Sequence, residues 1–433
     1  MASSVAESPG GTVTRVFQEQ AEREAAYRFL ENHEVDASEI GRAALRSCLR
    51  RTVGMPYFFV PVDGSSLTLT DRDHAFGFGR VTSNKFTSRG LEVVSAVGVS
   101  PDGTPIGYCG QQYWARPEKS PGKHHKRRSL EQKETRYYLD TIHFVEAGRP
   151  QIEGAARPWY QLDRGGDFKE LLAWSATSDS WLTVRANADR VVLNQQEQYL
   201  WPLLEQSRIC GRYDLDISGS HGRKQRRAKI EVRTKKVDLQ LRLNSSKTET
   251  VQLWAVLARE IETAPKGESP IEWLLLTNFP VVDFADAQLV IRGYGYRWRI
   301  EDYHRTWKTT CRVEDAQLRS PKAVERWAVT LGVVAMRIQR LTHLARNQPH
   351  LPATEELTAD ELVALLLHKN KKRRLRNSSL AIGVAVTWIA EMGGYTGKSS
   401  GGPPGAQTIG RGLQRLMMAA STVAAIRSTG CDQ

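Results

Sequence analysis

Residues 294–308 read YGYRWRIEDYHRTWK. In this stretch Tyr294, Arg297, Glu301 and Lys308 stand at i, i+3, i+7 and i+14. At ~100° per residue, all four fall within roughly a 60° arc of one helix face. A single face therefore carries a phenol, a guanidinium, a carboxylate and an ammonium. The plain alternative is a solvated, salt-bridged helix surface. Tyr294, Trp298 and Trp307 weigh against it, because large aromatic rings are costly to leave in water. A functional face accounts for the mixture better.

Working outward, helical periodicity covers about 285 to 313. Before it, from about 195 to 275, the pattern is β: IEVRTKKVDLQLRL alternates, and VQLWAVLA and WLLLT are apolar runs. Farther upstream, two apolar runs close on an acid. FFVPVD ends in Asp63, and WYQLD ends in Asp163 with DFKELLAW as the helix after it. Between them, LEVVSAVGVS and IGYCGQQYW flank the turn PDGTP and read as a hairpin. Residues 14–50 read as helices. Downstream, AVERWAVTLGVVAMRIQRLTHLA is apolar enough to be a largely buried helix. GGYTGKSSGGPPG is a loop, and IGRGLQRLMMAASTVAAI is a final helix. The alternation of strands and helices makes this an α/β chain. Three regions are expected: a short helical N-terminal region at 1–50, a catalytic domain at 51–320 and a helical region at 321–433.

The chain has 433 residues, 40% of them hydrophobic, and a net charge of +13. That excess favours a polyanionic partner, nucleic acid first. An anionic membrane surface is disfavoured by the lack of a long amphipathic basic helix. No apolar stretch approaches the ~18 residues of a membrane span. The five cysteines are scattered and never form a CxxC pair, which argues against a disulfide framework or a zinc finger and fits a reducing cytoplasm. The basic runs KHHKRR at 123–128, RKQRR at 223–227 and KNKKRRLRN at 369–377 suit phosphate contacts and solvated loops equally well. His124 and His125 lack the partners of a metal site.

Strand-end aspartates project from the rim of a sheet, although each alone also suits a turn or a helix cap. With Glu301 the set becomes three carboxylates. Such a set suits two Mg²⁺ ions, which take oxygen ligands and keep several waters, and hence phosphoryl transfer on DNA. Arg and Lys on the same face can hold the phosphates.

The spacing Y-(2)-R-(3)-E-(6)-K resembles that of the insertion-sequence-four group of DDE transposases, the transposon-five-like enzymes. VPVDGSSLTL resembles the segment carrying that family's first Asp, and LDRGGDFKELL the segment carrying its second. PKGESPIEWLLLTNFPV resembles the strand before its catalytic helix, and AAYRFLENHEV and GGYTGKSSGGPPG also have counterparts. The resemblance runs from about 20 to 427. It implies a ribonuclease H-like core with a β-rich insertion at about 195–275. It implies Asp63, Asp163 and Glu301 as the metal triad, binding Mg²⁺, with Mn²⁺ as a possible substitute. Tyr294, Arg297 and Lys308 would hold DNA phosphates, with Trp298 beside them. Trp273, otherwise a core residue of an apolar strand, would stack on a flipped base. The implied activity is cleavage of transposon ends and strand transfer into target DNA, by a homodimer, in the bacterial cytoplasm at the nucleoid. Two features depart from the pattern. The second acidic segment reads DRGGD rather than DREAD, and only a short stretch precedes AAYRFL. The latter leaves room for an alternative, a shortened DNA-binding or dimerising regulator.

Overall fold

The structure, a computed structural model, describes residues 10–428 apart from 18, 72–75, 82–87, 118–127, 194–197, 218–224, 244–246, 263, 266, 370–379 and 398–401. The runs KHHKRR and KNKKRRLRN therefore lie almost wholly outside the described residues. Of RKQRR only the end is described, and there Arg226 pairs with Glu260 and Glu268 while Arg227 pairs with Asp216.

After a single helical turn at Val13–Val16 come two longer helices, α1 (Gln20–Glu31) and α2 (Ala37–Arg50). Asp36 caps α2 by accepting from the Ser38 N–H, satisfying a backbone donor the helix leaves free. Leu30, Leu45 and Leu49 are fully buried, so both helices are built into the body of the protein.

The strands follow: β1 (Tyr57–Leu69), β2 (Gly79–Arg80), β3 (Arg89–Val99) and β4 (Pro105–Trp114). Helix α3 (Arg136–Gly148) leads to β5 (Arg157–Leu162), and α4 (Lys169–Thr177) leads to β6 (Trp181–Arg185). Next come β7 (Val191–Val192), β8 (Gln198–Tyr199), α5 (Leu200–Gln206), β9 (Ile209–Ile217), β10 (Arg226–Arg242), β11 (Thr248–Glu260) and β12 (Glu272–Thr277). All twelve strands form one sheet in the order β2-β3-β1-β5-β6-β12-β11-β10-β7-β8, with β4 also on β3 and β9 also on β10. Strands β1, β5 and β6 are mutually parallel, as helix crossovers require, and the other pairings are antiparallel. The β-rich stretch expected at 195–275 is present, but it is not a separate sheet. Strand β12 pairs with β6 and carries the β10–β11 ladder onto the same sheet.

One expectation fails at β1. The strand does not stop at Asp63 but runs on to Leu69. Its parallel neighbour β5 ends at Leu162, opposite Val62, while its antiparallel neighbour β3 goes on pairing from Ser95 to Arg89. Asp63 is thus where one edge of β1 loses its partner, not where the strand ends.

The carboxyl-terminal third is helical: α6 (Phe284–Gly295), α7 (Trp298–Arg305), a π-helical turn (Thr306–Thr310), α8 (Pro321–Asn347), α9 (Ala359–His368), α10 (Ile382–Met392) and α11 (Ala406–Ser428). Helix α8 starts on a Ser320 cap with Pro321 in its first turn, and it is buried over most of its length. Two-residue alternation sorts the sheet into two faces. Phe58, Val60, Val62, Tyr160, Leu162, Leu182 and Val184 face α3 and α4, whereas Phe59, Trp159, Leu275 and their neighbours face α6.

Candidate active site

Alternation and register place the two aspartates. Val62 and Leu162 point toward α3 and α4, so Asp63 and Asp163, one residue on, fall on the face covered by α6. Val62 and Leu162 are partners in the parallel ladder. Their successors therefore stand side by side where β5 ends and β1 runs on, on chains ~4.8 Å apart. Asp63 is pinned by the Gly64 N–H, which donates to its Oδ1 at 2.8 Å. Asp163 accepts from the Gly165 N–H at 2.8 Å and caps a single 3₁₀ turn, Arg164–Gly166. It does not cap α4, whose cap position is Phe168.

Glu301 arrives from α7. Arg297, buried at the junction of α6 and α7, donates from Nη1 to Asp63 Oδ2 and from Nη2 to Glu301 Oε1, both at 2.9 Å. The guanidinium thus ties the helical acid to the strand acid across 238 positions of sequence (301 − 63). Its Nε is buried without a hydrogen-bond partner among the described residues.

The electrostatics follow from crowding. Burial, with the Asp163 charge next, pushes Asp63 up to about 6, and the Arg297 charge only partly opposes this. Burial also raises Glu301, again against Arg297. A divalent cation fits such a set, because it relieves the repulsion and the burial cost together. Three carboxylates are hard oxygen donors of the kind Mg²⁺ takes. Among the described residues no three acidic, His or Cys side chains are arranged so as to hold a metal ion. Arg297 occupies the gap between Asp63 and Glu301.

The other expected residues divide. Tyr294 is buried, with its ring edge-on to Trp273 at 5.1 Å and the Arg297 guanidinium 5.9 Å from its centroid. Trp298 is 54% exposed and has the same guanidinium 5.4 Å from its centroid, so its ring is open to a ligand. Lys308 donates to the Ser66 carbonyl at 2.6 Å and lies 3.7 Å from Glu314, against β1. Trp307 is fully buried and bonds the Ala328 carbonyl, so its part in the 294–308 stretch is structural. His304, next to this group, is also buried, and burial pushes it down to about 3.

The single straight helix expected through 294–308 is not what forms. Bonds at the α6–α7 junction run from i to i−3, from the Arg297 N–H to the Tyr294 carbonyl and from Ile300 to Arg297, both at 3.1 Å. That overwinds the chain, and the π turn at 306–310 then underwinds it. The two departures rotate in opposite senses. This is why Arg297, Glu301 and Lys308 still face β1 although their helix is irregular.

Three residues here were not among the expected site residues. Arg185 ends β6 beside Asp163, donates to the Glu272 carbonyl at 2.9 Å and approaches the Tyr294 hydroxyl. Asp167 is fully buried and accepts from Asn187 N, Ala188 N and Arg190 Nη1 at 2.6, 3.0 and 2.7 Å, locking the turn that carries Asp163. Its place as the last acid of DRGGD was the available clue. Tyr138 reaches the two acids from α3, and burial together with the Asp63 and Asp163 charges raises its phenol above the usual range.

Residues 189–337 match the family described as Transposase DDE domain, and residues 333–430 match the Transposase Tn5 dimerisation domain. The first match includes Tyr294, Arg297, Glu301 and Lys308, while Asp63 and Asp163 precede it. Together the matches describe an enzyme that cleaves DNA and transfers strands, joined to a dimerising region. The chain belongs to the DDE transposases of the Tn5 type.

Proposed function

We propose that this transposase cuts the ends of its own mobile element and joins them to target DNA, a cut-and-paste reaction, with Asp63, Asp163 and Glu301 as the catalytic acids. The observation that carries this is the meeting of two in-register strand acids with one helical acid through Arg297. The order β4-β3-β1-β5-β6, with its last three strands parallel, supports a ribonuclease H-like core under that site. The three carboxylates are the groups that would hold two Mg²⁺ ions, with Mn²⁺ as a substitute. Bound there, such ions activate the attacking oxygen and stabilise the leaving one.

The chain's own side chains bind and orient the DNA. Arg297 is held as a fixed guanidinium fork beside the two acids, a group suited to a phosphate. Tyr294 and Lys308 flank it, and Trp273 and Trp298 offer ring faces to an unstacked base. Double-stranded transposon ends and target DNA are the substrates, and the dimer brings two ends together.

Cleavage of the element's own ends with Mg²⁺ tests the reading. Asp163→Ala is expected to lose at least 10³-fold in cleavage, on the order of 4 kcal/mol of transition-state stabilisation. Its affinity for the duplex should stay within about threefold of wild type, because basic groups and not the acids hold phosphates. Retained cleavage in this variant would mean that the second acid lies elsewhere.

A further inference from the structure

We infer that Tyr138 is a positioning residue of the acidic site, whose phenol oxygen, set behind the glycines that follow Asp63 and Asp163, fixes the spacing of the two carboxylates for a shared divalent cation. The inference rests on the reading that these acids form the catalytic site.

Both acids have a glycine close behind them where Tyr138 arrives, Gly64 within β1 and Gly165 in the 3₁₀ turn after β5. A Cβ placed on Gly64 would meet the Tyr138 hydroxyl oxygen at 3.0 Å, and one placed on Gly165 would meet it at 3.2 Å. One oxygen therefore fills the side-chain space of both glycines. Gly64 continues the parity of Phe58, Val60 and Val62, so its missing side chain leaves a gap toward α3. The phenol enters that gap from the face opposite Asp63. It cannot replace the carboxylates. It can hold the Asp63 and Asp163 backbones at a set distance, with the Gly64 N–H bound to Asp63 Oδ1 at 2.8 Å and the Gly165 N–H bound to Asp163 Oδ1 at 2.8 Å. Neither glycine has a left-handed φ, so the backbone itself does not demand glycine at either place. The requirement is the space taken by the phenol.

Side chains behind metal ligands typically change affinity by about 10–100-fold. The direct test is Mn²⁺ binding to the full chain followed by electron paramagnetic resonance, with the melting temperature and duplex affinity as controls. Tyr138→Phe keeps the ring and removes the oxygen. It is expected to weaken Mn²⁺ binding at least tenfold while the melting temperature and duplex affinity stay near wild type. Gly64→Ala leaves Tyr138 intact but pushes against its oxygen, and should also weaken Mn²⁺ binding. In the double variant the ring carbon that bore the oxygen is 3.9 Å from the new Cβ, an ordinary contact. Adding Gly64→Ala to Tyr138→Phe should therefore cost little further. Mn²⁺ binding by Tyr138→Phe equal to wild type, or fully additive losses in the double variant, overturns the inference. Asp163→Ala separates the two levels. If it leaves Mn²⁺ binding intact, the site reading fails. If it abolishes binding while Tyr138→Phe binds normally, only the role of Tyr138 fails.

Discussion

At Asp63 two demands conflict. As the proposed metal ligand the carboxylate would have to be charged to hold a cation, yet burial and Asp163 make that charge costly in the metal-free protein. Its acidity is shifted to about 6, against an unfolded value of ~3.9. Between those two values the folded chain keeps a proton that the unfolded chain releases. Stability is therefore greatest below the unfolded value and is lost as the pH rises through the folded one. The full loss amounts to about 2–3 kcal/mol. Asp63→Asn removes the charge at nearly constant volume. In chelator, at pH 7.5, it is expected to melt higher than wild type, and the advantage should vanish near pH 4. The same variant should be inactive in cleavage. A melting advantage equal at both pH values, or none at either, would contradict the crowding of Asp63 against Asp163.

Among the elements, strand β12 and helix α6 meet through the edge of Trp273 on Tyr294, on the sheet face that also bears both aspartates. Trp273 is only half-buried, so part of its ring is available to a base. Trp273→Ala is expected to weaken steps that need an unstacked base by about 1–3 kcal/mol, and to leave the first nick nearly unchanged. Measuring nicking and the later end-processing steps separately decides this. Equal loss in both, or an unfolded variant, makes Trp273 a core residue only. The elements themselves were legible in different degrees. FFVPV and WYQL announced buried strands, because parallel strands covered on both faces are apolar throughout. The closeness of Asp63 and Asp163 was not legible, because it depends on a register between strands about a hundred residues apart. The 294–308 periodicity showed the right residues on a face but not the overwound junction or the π turn, since three-residue and five-residue bonding leave little trace in hydrophobic spacing. Tyr138 gave no sign at all. Its partners are glycines, and a glycine in a sequence does not say whether it provides a turn or a space.

Across the whole molecule, the catalytic half is built on the sheet and the half matching a dimerisation domain is built on helices, with α8 in both. Residues 333–430 carry that second match, and they include the last part of α8 together with α9, α10 and α11. Helix α11 buries Ile409, Leu413, Leu416 and Ala420 in its own chain. Its other side leaves Met418 54% and Ile426 49% exposed, two turns apart on one stripe. From residue 421 onward the helix has no fully buried residue, although Val423 still packs against the core and Arg427 pairs with Asp360. Exposed apolar side chains on one helix suit a matching helix of a second copy. Full burial of each is worth about 1.5–3 kcal/mol. Replacing Met418 by Glu and Ile426 by Lys should therefore weaken self-association at least tenfold by sedimentation velocity. The melting temperature of the monomer should hardly change, because neither side chain contributes to the core. If the substituted chain remains as dimeric as wild type at the same concentration, the dimer uses another face of residues 333–430. If it becomes monomeric but still nicks single ends, pairing is needed only for the joined, two-ended steps, and cleavage and assembly are separable properties of the two halves.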